Sequence, residues 1–262
     1  MWSPSWGGLR WVDVLRGAIL HLESDGSVSR WPVGEVAAAF RPRAGGGVVI
    51  ATEREFVVAD VADGPLRSLV TAFDDPRIRF NDGSCDPAGN FLCGTMAYEE
   101  TPEAGTLYRL SPTGGLGVVL RGVTISNGLA WTADGSRAYY NDTPTGQVDV
   151  FDSDASGALT GRRRFVAIDG GSPDGLTVDA EGGVWVALWG GGAVHHYTPD
   201  GRLADVIELA ASRVTACTFG GDDLDELFIT TSAEGDEDNP VAGAVFCHPA
   251  GVRGLPAATF AG

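Results

Sequence analysis

The 262-residue sequence has only four cysteines, Cys85, Cys93, Cys217 and Cys247, with no CxxC pair and no zinc-like spacing to histidine. That argues against a structural zinc site, and nothing demands an oxidising compartment. Two of the four fall in apolar, strand-like runs and read as small core residues. There is no run of 18 apolar residues, so no membrane-spanning helix is expected, and no signal peptide is visible. The absence of a GxSxG stretch argues against a serine hydrolase with a nucleophile elbow. No 3.6-residue period persists, which speaks against a helical fold. Positive charge is also short: 18 basic residues face 35 acidic ones, leaving a net charge of −17. Such a surface repels nucleic acid and anionic membranes, so neither is an expected partner.

What the chain does have is glycine, 38 residues of it, with 14 prolines spread along its length. That composition fits many short strands and tight turns. A repeated unit joins a Gly-containing turn, an apolar strand, a short loop and a second strand. First strands follow the turns in "GGLRWVDV", "GGGVVIAT", "AGNFLCGT", "DGSRAYYND" and "EGGVWVAL", and a sixth, "DDLDELFITT", lacks the glycine. Gly8, Gly47, Gly89, Gly135 and Gly182 are spaced by 39, 42, 46 and 47 residues. Second strands recur at Gly17, Arg54, Gly105, Gly146, Gly192 and Gly243. Six units of this length predict an all-β fold, a six-bladed β-propeller with four-stranded antiparallel blades, formed by residues 1–262 as one domain.

Three units share a further feature. Asn81, Asn127 and Asp174 each lie eight residues before a turn glycine, respectively Gly89, Gly135 and Gly182, and each has a glycine following closely. Asx-Gly pairs are ordinary turn formers. Equivalent positions in a propeller lie on a ring about its axis, however, so the register predicts three oxygen-bearing side chains just ahead of a first strand. Amide and carboxylate oxygens suit Ca²⁺, Mg²⁺ or Mn²⁺. Both the turn reading and the ligand reading stay open on these residues alone.

The segments "RFNDGSCDPAGNFLCGTM", "SNGLAWTADGSRAYYND", "PDGLTVDAEGGVWVA", "TACTFGGDDLDELFITT" and "LRWVDVLRGAI" together resemble the regucalcin/gluconolactonase (senescence marker protein) family of six-bladed propellers. The resemblance implies one divalent cation (Ca²⁺, Zn²⁺, Mg²⁺ or Mn²⁺) bound by a Glu, an Asn and an Asp, the last two matching Asn127 and Asp174. It implies substrate binding by Arg79 and Asn81 of "RFND" and by Glu99 of "GTMAYEE", with Glu100 as its neighbouring alternative. The family's metal-binding Glu belongs to an E-[GS]-P-x-W motif. Aligning Trp2 with that tryptophan puts the Glu three residues before Met1, outside the sequence. Either the first blade is truncated at its N-terminus, which is the favoured expectation, or the protein lacks that ligand. The protein is expected to be cytoplasmic unless an upstream segment carries a signal peptide.

The implied reaction is hydrolysis of a sugar lactone or similar cyclic ester. The cation polarises the carbonyl and Asp174 acts as ligand and general base. Two rivals stand beside it: a phosphotriesterase-like hydrolase on the same scaffold, and a non-catalytic metal- or metabolite-binding propeller. Other constellations are weaker. His195 and His196 are adjacent on a strand and point to opposite faces, which suits structural roles. "DSDASGALTG" opens like a calcium loop at Asp152 and Asp154 but has Arg163 where a bidentate Glu belongs. "AEGDEDNP" around Asp236 reads as a solvated loop.

Overall fold

A computed structural model describes all 262 residues, and it bears out the expected six-bladed β-propeller class. The first sheet contains β1 (Trp2–Ser3), β2 (Gly8–Asp13), β3 (Ala18–Leu22) and β4 (Val28–Pro32). The second contains β5 (Ala39–Pro42), β6 (Val48–Ala51), β7 (Glu55–Ala59) and β8 (Arg67–Thr71). The third contains β9 (Ile78–Cys85), β10 (Phe91–Ala97), β11 (Gly105–Leu110) and β12 (Leu116–Val123). The fourth contains β13 (Ser126–Trp131), β14 (Arg137–Asp142), β15 (Gln147–Ser153) and β16 (Leu159–Ala167). The fifth contains β17 (Ser172–Val178), β18 (Val184–Trp189), β19 (Ala193–Tyr197) and β20 (Leu203–Glu208). The sixth has three strands, β21 (Val214–Gly220), β22 (Glu226–Thr231) and β23 (Val245–Pro249). Each sheet is an antiparallel meander in chain order. The only helical elements are three 3-10 turns of three residues each.

Hydrophobicity falls across each blade. β10 is buried along its whole length, as a strand covered on both faces must be, and its sequence is accordingly a nearly unbroken apolar run. The fourth strands are the opposite: β4 and β20 are exposed at all but one residue. The turn glycines Gly89, Gly135 and Gly182 have φ of 80°, 68° and 86°, a region that favours glycine. In the sixth blade Leu224 takes the same role at φ 56°.

The structure corrects one detail of the repeat. The strands that follow the turn glycines are the second strands of their sheets, and another strand precedes each. "SPDGLTV" has Pro, Asp and Gly, all poor strand formers. Its pairing with β18 overrides that preference, and an edge position tolerates Pro173 because one side of the ladder needs no donor. Asn81, Asn127 and Asp174 therefore lie within strands β9, β13 and β17, not in turns ahead of them.

The chain forms two compact units. The early unit comprises Ser3–Ser126, Ala155–Ala158 and Ala257–Gly262. Its core gathers Phe56, Phe80, Phe91 and Phe260, with the Phe56 and Phe80 rings 4.7 Å apart. The late unit comprises Met1–Trp2, Asn127–Asp154 and Leu159–Pro256. One of its cores is built on Tyr139, Val184 and Leu188, another on Trp185, Phe219 and Ile229.

Candidate functional site

In the late unit, one hydrogen-bond relay runs from Asn127 to the residue before Asp174, the two residues expected to hold a cation being Asn127 and Asp174. Asn127 is buried on β13 and its Nδ2 donates to Thr143 Oγ1 at 2.7 Å. Thr143 Oγ1 in turn donates to the Pro173 carbonyl at 2.8 Å, next to Asp174. A hydroxyl has a single hydrogen, so towards Asn127 it only accepts. Asn127 must therefore present its NH₂ to Thr143 and turn its Oδ1 the other way. A second clamp acts on the same strand: Asn141 Nδ2 donates to the Asp174 carbonyl at 2.6 Å. Asn141 is fully buried, and its Oδ1 has no hydrogen-bond partner.

The glycines of the Asx-Gly pairs serve close approach, not turn formation. Gly128 is absent from the positive-φ residues. A Cβ there would stand 2.7 Å from Asp174 O, 2.8 Å from Asn141 Nδ2 and 2.8 Å from Leu176 Cγ. Gly175 is under the same constraint, since its Cβ would meet Ala216 Cβ at 2.7 Å. The small residue lets the neighbouring strand in, and with it the backbone that carries Asp174.

The side chains of Asn127 and Asp174 carry an amide oxygen and a carboxylate, the hard donor types that Ca²⁺, Mg²⁺ or Mn²⁺ takes. In type they fit the divalent cation that the resemblance implies, and Asn141, which clamps the Asp174 carbonyl, leaves a buried Oδ1 without a hydrogen-bond partner. No cluster of three His, Cys, Asp or Glu side chains accompanies them. The first and fourth blades share one local pattern. Trp2 and Trp131 each precede by eleven residues an Asp, Asp13 or Asp142, that leads into a 3-10 turn closed by a left-handed glycine.

In the early unit, Arg79 and Asn81 are two apart on β9 and so share a face. Arg79 is buried, and its Nη1 donates to Asn81 Oδ1 at 2.7 Å and to the Phe80 carbonyl at 2.9 Å. Asn81 Nδ2 donates to the Ser126 carbonyl at 2.9 Å. These bonds hold the pair in one arrangement. Glu99 and Glu100 are exposed in the turn region after β10, with Glu100 at φ 51°. It is Tyr98 that lies over Arg79, its ring centroid 5.8 Å from the guanidinium carbon. Sequence reasoning passed over Tyr98, although an aromatic directly after "GTMA" was a visible signal. It also passed over Asp82, whose carboxyl burial pushes above the usual range while Arg41 opposes the shift. Asp82 Oδ1 accepts from Gly83 N at 2.7 Å.

The remaining candidates are structural. His196 stacks on Trp185 at 3.9 Å and faces the buried Asp179 at 3.3 Å, whereas His195 bonds Tyr197. Arg163 pairs with Asp152 at 2.8 Å, which closes the loop that resembled a calcium site. Asp236 accepts from Ser212 and Asn239 in an exposed loop. All four thiols are free, and three are buried, one more than the sequence suggested. Burial pushes Cys85 and Cys217 up to about 12.

Comparison with known proteins places this geometry in context. The family profile described as SMP-30/Gluconolactonase/LRE-like region matches residues 1–233. A pentonolactonase of Haloferax volcanii is 35% identical over 268 residues, covering 98% of this chain and 91% of the relative. A 6-deoxy-6-sulfogluconolactonase of Pseudomonas putida is 35% identical over 273 residues, covering 100% and 94%. Among solved structures, a calcium-binding protein, regucalcin, from Agrobacterium tumefaciens superposes with a TM-score of 0.91 at 26% identity, covering 99% of this chain and 92% of that one.

Proposed function

The chain belongs to the SMP-30/gluconolactonase/LRE-like family, and from that premise we propose that it hydrolyses a sugar lactone with the help of a divalent cation. The observation that carries this reading is the Asn127–Thr143–Pro173 relay. Two hydrogen bonds fix which end of the Asn127 amide meets Thr143, in a relay that reaches the residue before Asp174. The lactonase names of two relatives support the substrate class.

Asn127 Oδ1 and the Asp174 carboxylate would hold the cation, which when bound acts as a Lewis acid on the lactone carbonyl. Asp174 takes a proton from the attacking water, whose oxygen bonds to the carbonyl carbon. The ring C–O bond then breaks, and the proton passes to the departing alkoxide, giving the open-chain hydroxy acid. Arg79 supplies hydrogen-bond donors to substrate hydroxyls, Asn81 fixes the arginine and offers its own amide, and Glu99 accepts from hydroxyls at the exposed end. Sites that hydrogen-bond hydroxyls reject analogues lacking them, which is the source of selectivity.

Turnover of D-glucono-1,5-lactone and of a pentonolactone, measured as acid release above spontaneous hydrolysis, tests the reading. Chelation should abolish turnover. Asp174→Ala should lower kcat by about 10²–10⁴-fold, the usual weight of a positioned base. Inertness towards both lactones, with turnover of a phosphotriester, would move the assignment to another hydrolase. The single carboxylate in the donor set favours one further alternative, a non-catalytic binding protein. Cation binding without turnover of any ester would establish that instead.

A further inference from the structure

We propose that Tyr98 determines specificity, its ring serving as a platform for the C–H face of a cyclic sugar beside Arg79. This rests on the sugar-lactone reading above. Tyr98 is 43% exposed, an unusual position for a large aromatic. It is nevertheless held firmly. Its hydroxyl donates to Glu53 Oε1 at 2.7 Å, and Glu53 is itself paired with Arg54 at 3.1 Å. Its backbone N–H donates to the Arg77 carbonyl at 2.9 Å, while the Glu53 carbonyl accepts from Phe80 N at 2.8 Å. The Glu53 loop, the Tyr98 turn and the start of β9 are thereby tied together, and the Arg79 guanidinium lies against the ring. Burial, and then the Glu53 carboxylate, push the phenol up to about 12, so it remains a donor throughout the neutral range.

A pinned ring loses little freedom when a ligand arrives. Aromatic faces are negative at the centre and attract polarised C–H groups. A cyclic sugar presents such C–H groups on its face and hydroxyls on its rim. Tyr98 suits the face and the adjoining Arg79 suits the rim, whereas an open-chain polyol offers hydroxyls, two more than its 1,5-anhydro ring form, and no flat face.

The test measures binding of 1,5-anhydro-D-glucitol and of D-glucitol to the full chain and to Tyr98→Leu and Tyr98→Phe by calorimetry, alongside lactone turnover. The expected result is preference for the cyclic polyol in the wild type, reduced by about tenfold in Tyr98→Leu, as loss of one aromatic contact implies. Tyr98→Phe keeps the ring and should stay within about threefold, on the scale of one exposed hydrogen bond. Equal weakening of both polyols in Tyr98→Leu, or no binding of either by the wild type, would overturn the platform. Lost cyclic preference in a protein without lactone turnover would leave Tyr98 assigned and remove the lactonase reading. Lactone kcat/KM untouched by Tyr98→Leu would do the reverse.

Discussion

An asparagine has two chemically opposite ends, and at Asn127 the Thr143 hydroxyl decides which of them it meets. Few positions show so directly how a residue's role is set by its neighbour. Asp82 makes the same point for charge. Burial holds its carboxyl above the ordinary value of 3.8, so the folded state keeps its proton over a pH range where the unfolded chain has released it. The stability it contributes is therefore present below the unfolded value and is lost as pH rises through the folded one. Asp82→Asn keeps an acceptor for Gly83 N and removes the buried charge. It should raise the thermal midpoint at pH 7, with the gain shrinking as the pH is lowered towards 4. A gain independent of pH in parallel melts would count against this account.

Among the elements, the first strands β9, β13 and β17 carry the candidate residues Arg79, Asn81, Asn127 and Asp174, and each contains a glycine, a poor strand former. β17 is held by clamps from the fourth sheet as well as by its own ladder. Gly128 permits that approach. Gly128→Ala would place a methyl group against Asp174 O, Asn141 Nδ2 and Leu176 at once. The expected cost is about 1–3 kcal/mol in urea unfolding, as for an overpacked site, together with a fall in lactone turnover because the Asp174 backbone must retreat. A destabilised protein with unchanged turnover would mean that the close approach serves packing alone.

At the scale of the molecule, neither unit is one continuous stretch of chain. The early unit recruits the last residues, where Phe260 N donates to Pro42 O, Ala44 N to Phe260 O, and Arg43 Nε to Gly262 O at 2.8 Å. The Phe260 ring is 1% exposed, in the same core as Phe56 and Phe80. Phe260→Ala should cost about 3–5 kcal/mol, the range for an aromatic removed from a core. Chemical denaturation followed by tryptophan fluorescence will show whether the final residues carry that weight. The net charge of −17 makes no such local demand and acts on solubility and partners.

Sequence alone determined the blade count, because turn glycines and apolar strands repeat at a spacing that chain geometry translates into units. It also supplied Arg79, Asn81, Asn127 and Asp174 as candidates, since an Asx register and a family pattern are properties of residue order. It misread the strands that carry them, because Pro, Asp and Gly signal turns locally while cross-strand pairing is decided by residues far along the chain. Tyr98 over Arg79, the Thr143 relay and the crowding at Gly128 were decided by the tertiary structure alone. Each depends on which atom of one strand meets which atom of another, and no periodicity in a single chain encodes that distance.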